Sequence, residues 1–341
     1  MQSGQPLKLS VLDLVTMWNG MSAGDAIRET VALAQHVERL GYTRFWLAEH
    51  HNMPWQASSA PELLIGPVAA ATTTLRVGSG GVMLPNHTPL KVVENFRTLE
   101  ALYPGRIDLG IGRAPGTDGV TALALRRTRE ALGADDFPEQ FAELLAFFGD
   151  DFPADHPFSR ITPIPVTATN PQIWLLGSSD YGARLAAQYG FGFAFAHHIS
   201  PDPAIPVLQM YRRDFQPAAH LQQPYSILAV SAFCAETEEE AEDVAAILTL
   251  RWTRMRRGIS APPPTVEEAR AYRYSPAEEP LRTAMRTRLI AGTVETVPDA
   301  LRTLAYESAA DEIMLLTMTP DPAARRRSYE LLAQACDLQP R

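Results

Sequence analysis

Short apolar runs alternate with amphipathic helical stretches from one end of the chain to the other, the pattern that builds a parallel sheet covered by helices. The first run, Leu9 to Leu14, precedes a helix reaching Leu40 in which Ile27, Val31, Ala34 and Val37 recur at helical spacing, with Asp25 as cap and Gly41 as stop. The second, Thr43 to Ala48, precedes a helix from Leu63 to Thr74 opened by Pro61-Glu62; the third, Leu75 to Gly80, precedes one from Pro89 to Leu102. The turn Tyr103-Pro104-Gly105 starts a fourth, Arg106 to Gly112. A helical stretch from Thr121 to Phe148 and a proline-rich crossing follow. Four more strands are then expected, Gln172 to Leu176, Phe191 to Ala196, Tyr225 to Ala235 and Asp311 to Leu316, with helices between them. Eight strands alternating with helices predict an α/β fold, a closed (β/α)8 TIM barrel in preference to an open doubly wound sheet. Residues 1–341 read as a single domain, with the proline-rich segment at about 258–280 as an insertion.

Composition agrees with a packed globular chain: 46% of the 341 residues are hydrophobic and 20% charged. The net charge of −9 is spread without long blocks, which argues against nucleic acid or an anionic membrane as partner. Cys234 and Cys336 have apolar neighbours and no Cys-x-x-Cys context, so both are expected buried and reduced. No stretch of 18 uncharged apolar residues and no signal-like N-terminus is present, so a cytoplasmic protein is expected.

Chemistry in a barrel sits where strands end and loops begin, and four such places stand out. The second strand ends in Glu49-His50-His51-Asn52; adjacent residues point to opposite sides of a strand, so one histidine faces the cavity. The other polar residues there can equally hold neighbouring loops. No metal is expected, because zinc hydrolase barrels begin with His-x-His and His197-His198 would complete a site only by coincidence of folding. The third strand carries Gly78, Gly80 and Gly81, a costly choice that implies a flat ligand over the strand end, an unusual peptide geometry, or a bulge. On the fourth, Ile107, Leu109 and Ile111 share one face and Asp108, Gly110 and Gly112 the other, with Arg113 at the end, where its planar fork suits a phosphate. Gly110, Gly112 and Gly116 are loosely spaced like a dinucleotide fingerprint, but Pro115 and a loop follow where that motif needs a helix. The fifth strand ends Gly177-Ser178-Ser179 and enters a helix at once, so backbone N–H groups and two hydroxyls converge where an anion is favoured, unless Ser179 merely caps the helix.

Taken together, Ala48-Glu49-His50-His51-Asn52, the Leu75-to-Pro85 segment, Gly105 to Arg113 and Gly177-Ser178-Ser179 resemble the bacterial-luciferase-like, FMN-dependent monooxygenases over nearly the whole chain. The resemblance implies that Arg113, Ser178 and Ser179 hold the FMN phosphate. It also implies a non-proline cis peptide at Gly80-Gly81 under the isoalloxazine ring, and His50 as base or hydrogen-bond partner with Glu49 as its support. It further implies reduced FMN from a separate flavin reductase, O2 and a small organic substrate oxygenated through a flavin peroxide, in a homodimer paired through barrel-side helices. Gly112 stands where light-emitting members carry a cysteine, so no light emission is expected. The loops at 113–121, 150–169 and 258–280 are expected lids, and Met17, Trp18, Met53 and Trp55 a pocket for an apolar or planar substrate or simply packing. A deazaflavin-dependent oxidoreductase and a non-catalytic flavin-binding barrel are the alternatives; the Glu-His-His cluster and compact phosphate turn favour FMN.

Overall fold

The computed structural model describes residues 7–18, 20–127, 136–149 and 151–340. Its strands are β1 (Lys8–Asp13), β2 (Arg44–Leu47), β3 (Arg76–Met83), β4 (Ile107–Gly112), β5 (Gln172–Gly177), β6 (Gly192–Ala196), β7 (Ser226–Ala235), β8 (Leu289–Thr293) and β9 (Glu312–Leu316). All pairings are parallel, and the contacts of β1 with β9, β9 with β7 and β7 with β6 close β1 to β7 and β9 into the expected eight-stranded barrel. The ninth strand, β8, was not expected. It pairs with Ser231 to Ala235 of β7, beyond the stretch of β7 that β9 occupies, so the ten-residue β7 serves two neighbours in turn.

The helices are α1 (Ala23–Arg39), α2 (Pro61–Ala70), α3 (Pro89–Leu102), α4 (Gly119–Arg126), α5 (Phe137–Gly149), α6 (Asp180–Tyr189), α7 (Ala204–Asp214), α8 (Glu238–Arg256), α9 (Val266–Ala271), α10 (Glu279–Arg286), α11 (Val297–Ser308) and α12 (Pro322–Ala335). Ser22 caps α1, and Asp25, the expected cap, answers it reciprocally from the first turn. Among the described residues the expected helix over 121–148 is interrupted: Arg127 adopts φ +73°, which ends α4, and α5 begins at Phe137. The intervening 128–135 lie outside the described residues. Within the segment at 258–280, α9 packs with α10 against α8, around Trp18, Phe233, Leu250 and Met285. The described part of the expected lid at 150–169, residues 151–169, is no lid. It follows a helix and precedes a strand, which places it at the N-terminal end of the barrel, where Arg97 of α3 donates to Pro163 O at 2.8 Å. Among the described residues no helix is long and apolar enough to cross a membrane. Both cysteines are buried thiols, and burial pushes that of Cys234 up to about 12.

Two apolar layers separate along each strand. Ile107, Leu109 and Ile111 of β4 face the helices, whereas Leu12, Trp46, Trp174, Ala194, Ala229 and Met314 fill the bore. Below them a charged plug closes the N-terminal end. The guanidinium of Arg44 donates to Glu312 at 3.0 Å and to Asp108 at 2.9 Å, Trp46 Nε1 donates to Asp108 at 2.9 Å, and Tyr225 donates to Glu312 at 2.8 Å. Arg76 donates to the same Asp108 carboxylate. Each charge is satisfied, so the bore opens only at the C-terminal strand ends. Removing one anion leaves the others uncompensated: Asp108→Asn should cost about 2–3 kcal/mol, read as a lower urea midpoint with unchanged slope.

Candidate active site

At the C-terminal ends of the strands the bore widens into a cavity of about 280 Å³. Glu49, His50, Gly80, Arg113, Ser178 and Ser179 all line it, and Gly81 does not. The Gly80-Gly81 peptide is cis, and the pairing of β3 with β4 slips one residue there, so the glycine run carries both an unusual peptide and a bulge. Gly80 is part of the cavity floor: a Cβ there would lie 2.9 Å from Leu12 Cδ1 and 3.0 Å from Trp46 Cβ. A Cβ on Gly81 would instead strike Leu176 and the Gly110 carbonyl, so that glycine admits the neighbouring strand rather than a ligand. At Gly112 a Cβ would lie 2.9 Å from the Met83 thioether, which fills the space a larger residue would need.

Past β2 the chain bends, with His50 N donating to Ser58 O at 2.9 Å and His51 N to Gly116 O at 3.2 Å. His50 therefore turns into the cavity and His51 away from it. Glu49 does not hold His50, because neighbours on an extended chain diverge. Its buried carboxylate takes His51 Nε2 at 2.8 Å, His87 Nε2 at 2.9 Å and the Met83 amide at 2.9 Å, bracing the end of β2 against that of β3. Burial pushes the Glu49 carboxyl up, but the hydrogen bond and charge of His87, with Met83 and His51, outweigh it and hold it below the usual glutamate range. His87, despite burial, is held above the usual histidine range by Glu49.

His50 is different: its Nδ1 is buried and has no hydrogen-bond partner. Burial, then the neighbouring His198, push it down to about 4. His198 lines the same cavity with Nδ1 3.0 Å from Ala229 O, and burial takes it to about 4 as well. Both imidazoles are thus neutral at pH 7. The unfolded chain, titrating near 6.5, binds more protons than the native state between about pH 6.5 and 4, so stability falls as pH drops through that window. His87, with its raised value, contributes the opposite slope above pH 6.5. Urea unfolding at pH 5.5 should therefore give about 2–3 kcal/mol less stability than at pH 7, and a His50→Gln/His198→Gln variant should flatten that difference.

On the far wall, β4 and β5 lie side by side, so Arg113 and the start of α6 rise together. The Arg113 guanidinium carbon stands 4.0 Å over the Tyr181 ring. Ser179 occupies the N-cap position, yet its side chain makes no capping hydrogen bond, leaving the first amides of α6 and that hydroxyl turned to the cavity. Of the expected lids, only the loop after β4 supplies lining residues, Arg113, Ala114 and Gly116; none comes from 258–280. Met17, Trp18, Met53 and Trp55 do not line the cavity; Trp18 is buried in the α8 cluster. His198 and Tyr181 were not anticipated as lining residues. The doublet at the end of the sixth strand was the signal for His198, since it repeats the arrangement at His50-His51.

The family model of luciferase-like monooxygenases matches residues 7–312. The chain belongs to that family. As a luciferase-like monooxygenase it is an oxidoreductase, and its relatives match it almost end to end. A luciferase-like monooxygenase of Escherichia coli (strain K12) is 42% identical over 327 residues, covering 95% of this chain and 96% of the other. The N-acetyl-S-alkylcysteine monooxygenase of Bacillus subtilis (strain 168) is 37% identical over 337 residues, with 96% and 98% covered. The crystal structure of apo-MsnO8 superposes with a TM-score of 0.89 at 38% identity, over 98% and 99% of the two chains.

Proposed function

We propose that this luciferase-like monooxygenase binds reduced FMN, delivered by a separate flavin reductase, and uses O2 to oxygenate a small organic substrate. The observation that carries the proposal is one cavity with an anion pole at Arg113, Ser178 and Ser179 and a buried, unsatisfied imidazole nitrogen at His50. The residues fit the cofactor. The arginine fork and the open amides of α6 suit a phosphate dianion, and the bare backbone of Gly80 over Leu12 and Trp46 suits the face of a flat ring. Reduced FMN supplies the electrons with which O2 is activated. The protein's own work is to fix the phosphate at one end, to exclude water with apolar walls such as Leu14, Met83 and Ile199, and to hold a proton-accepting imidazole at the other. Glu49 keeps the ends of β2 and β3 in register without touching the cofactor.

The reading treats residues 1–341 as one barrel domain working in the cytoplasm as a homodimer. Leu63 of α2 and Leu102 of α3, exposed on adjacent helices, offer apolar surface to a second copy. The test is an anaerobic titration with FMN and with a deazaflavin such as F420, followed by turnover with a flavin reductase in 18O2 and N-acetyl-S-alkylcysteines as first substrates. FMN binding and 18O in the product are expected. Binding of the deazaflavin alone would move the protein to the reductase reading, and binding of neither would end the cofactor assignment.

A further inference from the structure

Arg251, on α8, differs from Arg44 and Arg325. Arg44 lies between Glu312 and Asp108, and Arg325 meets Asp13 at 2.9 Å. Arg251 has no carboxylate within ion-pair distance among the described residues. Its guanidinium carbon stands 5.3 Å over the Trp18 ring, and Nη1 lies 3.9 Å from the Met318 sulfur. With only burial acting on it, the group is pushed down to about 10, the signature of a cation without a counter-ion. A partly buried unpaired charge is costly unless something arrives to meet it.

Its position says what that something faces. Trp18 follows β1 and Met318 follows β9, neighbours in the ring, and β1 and β9 supply Leu14 and Met314 to the cavity wall. Around the eight-stranded ring the β9/β1 pair lies diametrically opposite β4/β5, where Arg113 and Ser179 stand. His50, just past the end of β2, is close enough for the Arg251 charge to be among those that depress it. Arg251, Trp18 and Met318 stand outside the cavity lining, beyond its β9/β1 wall, so two cations bracket the strand ends, Arg113 at β4/β5 and Arg251 at β9/β1, with His50 between.

We propose that Arg251 anchors a carboxylate on the organic substrate. The inference rests on the reading of the β4/β5 pole as the cofactor end. The cavity wall on that side is apolar, with Leu14 and Met314, so the substrate is an anionic molecule with an apolar body inside the cavity and its charge carried past that wall to the cation remote from the cofactor phosphate. The fork of an arginine, rather than a point charge, fits a planar carboxylate bidentately.

Isothermal titration of the FMN-loaded protein with phenylacetate and hexanoate, against phenylacetamide and hexanamide, tests this. The acids should bind at least tenfold more tightly than the amides. Arg251→Met should abolish that preference with FMN affinity within about twofold of wild type, and Arg251→Lys, which keeps the charge in the same fold, should retain part of it. Equal affinity for acids and amides, failure of both acids to bind, or a preference that persists in Arg251→Met would each overturn the proposal. The two readings fail separately. A protein that prefers the acids but does not bind FMN overturns the cofactor assignment and leaves Arg251 standing, whereas one that binds FMN without preferring the acids does the reverse.

Discussion

Replacing Arg113 by alanine should weaken FMN binding by about a hundredfold or more, with little loss of fold. The size follows from the chemistry of the pole: a charge-assisted, two-pronged contact to phosphate contributes about 3 kcal/mol, roughly two decades in affinity. The side chain sits at the end of β4 over Tyr181 and is exposed, so its removal opens no core cavity. Titration of flavin fluorescence gives the affinity and thermal unfolding the stability. At saturating FMN the turnover should return to near the wild-type value, because the arginine holds the cofactor and not the reacting atoms. An affinity unchanged within threefold would remove Arg113 from the site.

His50→Ala should have the complementary signature, with turnover down by about 10²- to 10³-fold and FMN affinity changed only a few fold. At pH 7 the ring is neutral and lines the cavity, so it is a proton acceptor at the place where the substrate must sit. Without it, oxygen consumption should continue while product formation falls, which separates loss of proton control from loss of cofactor. If coupling and rate both survived, the imidazole would be a wall of the cavity and no more. His50→Gln, close in size and still able to hydrogen-bond, should recover part of the coupling and none of the proton transfer.

The barrel was legible in the sequence because its strands are short apolar runs punctuated by turns, and the cavity because its polar residues sit at strand ends. What stayed hidden depended on distance along the chain. The Glu49 carboxylate finds Met83 and His87 more than thirty residues away, which no local pattern encodes, so it was paired with the adjacent His50 instead. Strand β8 is five residues, Leu-Ile-Ala-Gly-Thr, three half-buried and two buried, too short to alternate clearly and set against only the outer half of β7. The break after α4 falls at an arginine in a left-handed conformation, which residue type does not announce. Nothing in the local sequence singles out Arg251; only the closed ring brings α8 against Trp18 and Met318, beyond the ends of β1 and β9.

The plug at the base of the barrel also sets the order of events while the protein is being made. Arg44 and its anion Glu312 are 268 residues apart. At the roughly 5–20 residues per second of a working ribosome, the arginine is exported some 15–50 s before its partner exists. Until then Asp108 answers both Arg44 and Arg76 without the second anion, and Ser10 of β1 waits on the Glu312 carboxylate. Ring closure thus waits for β9.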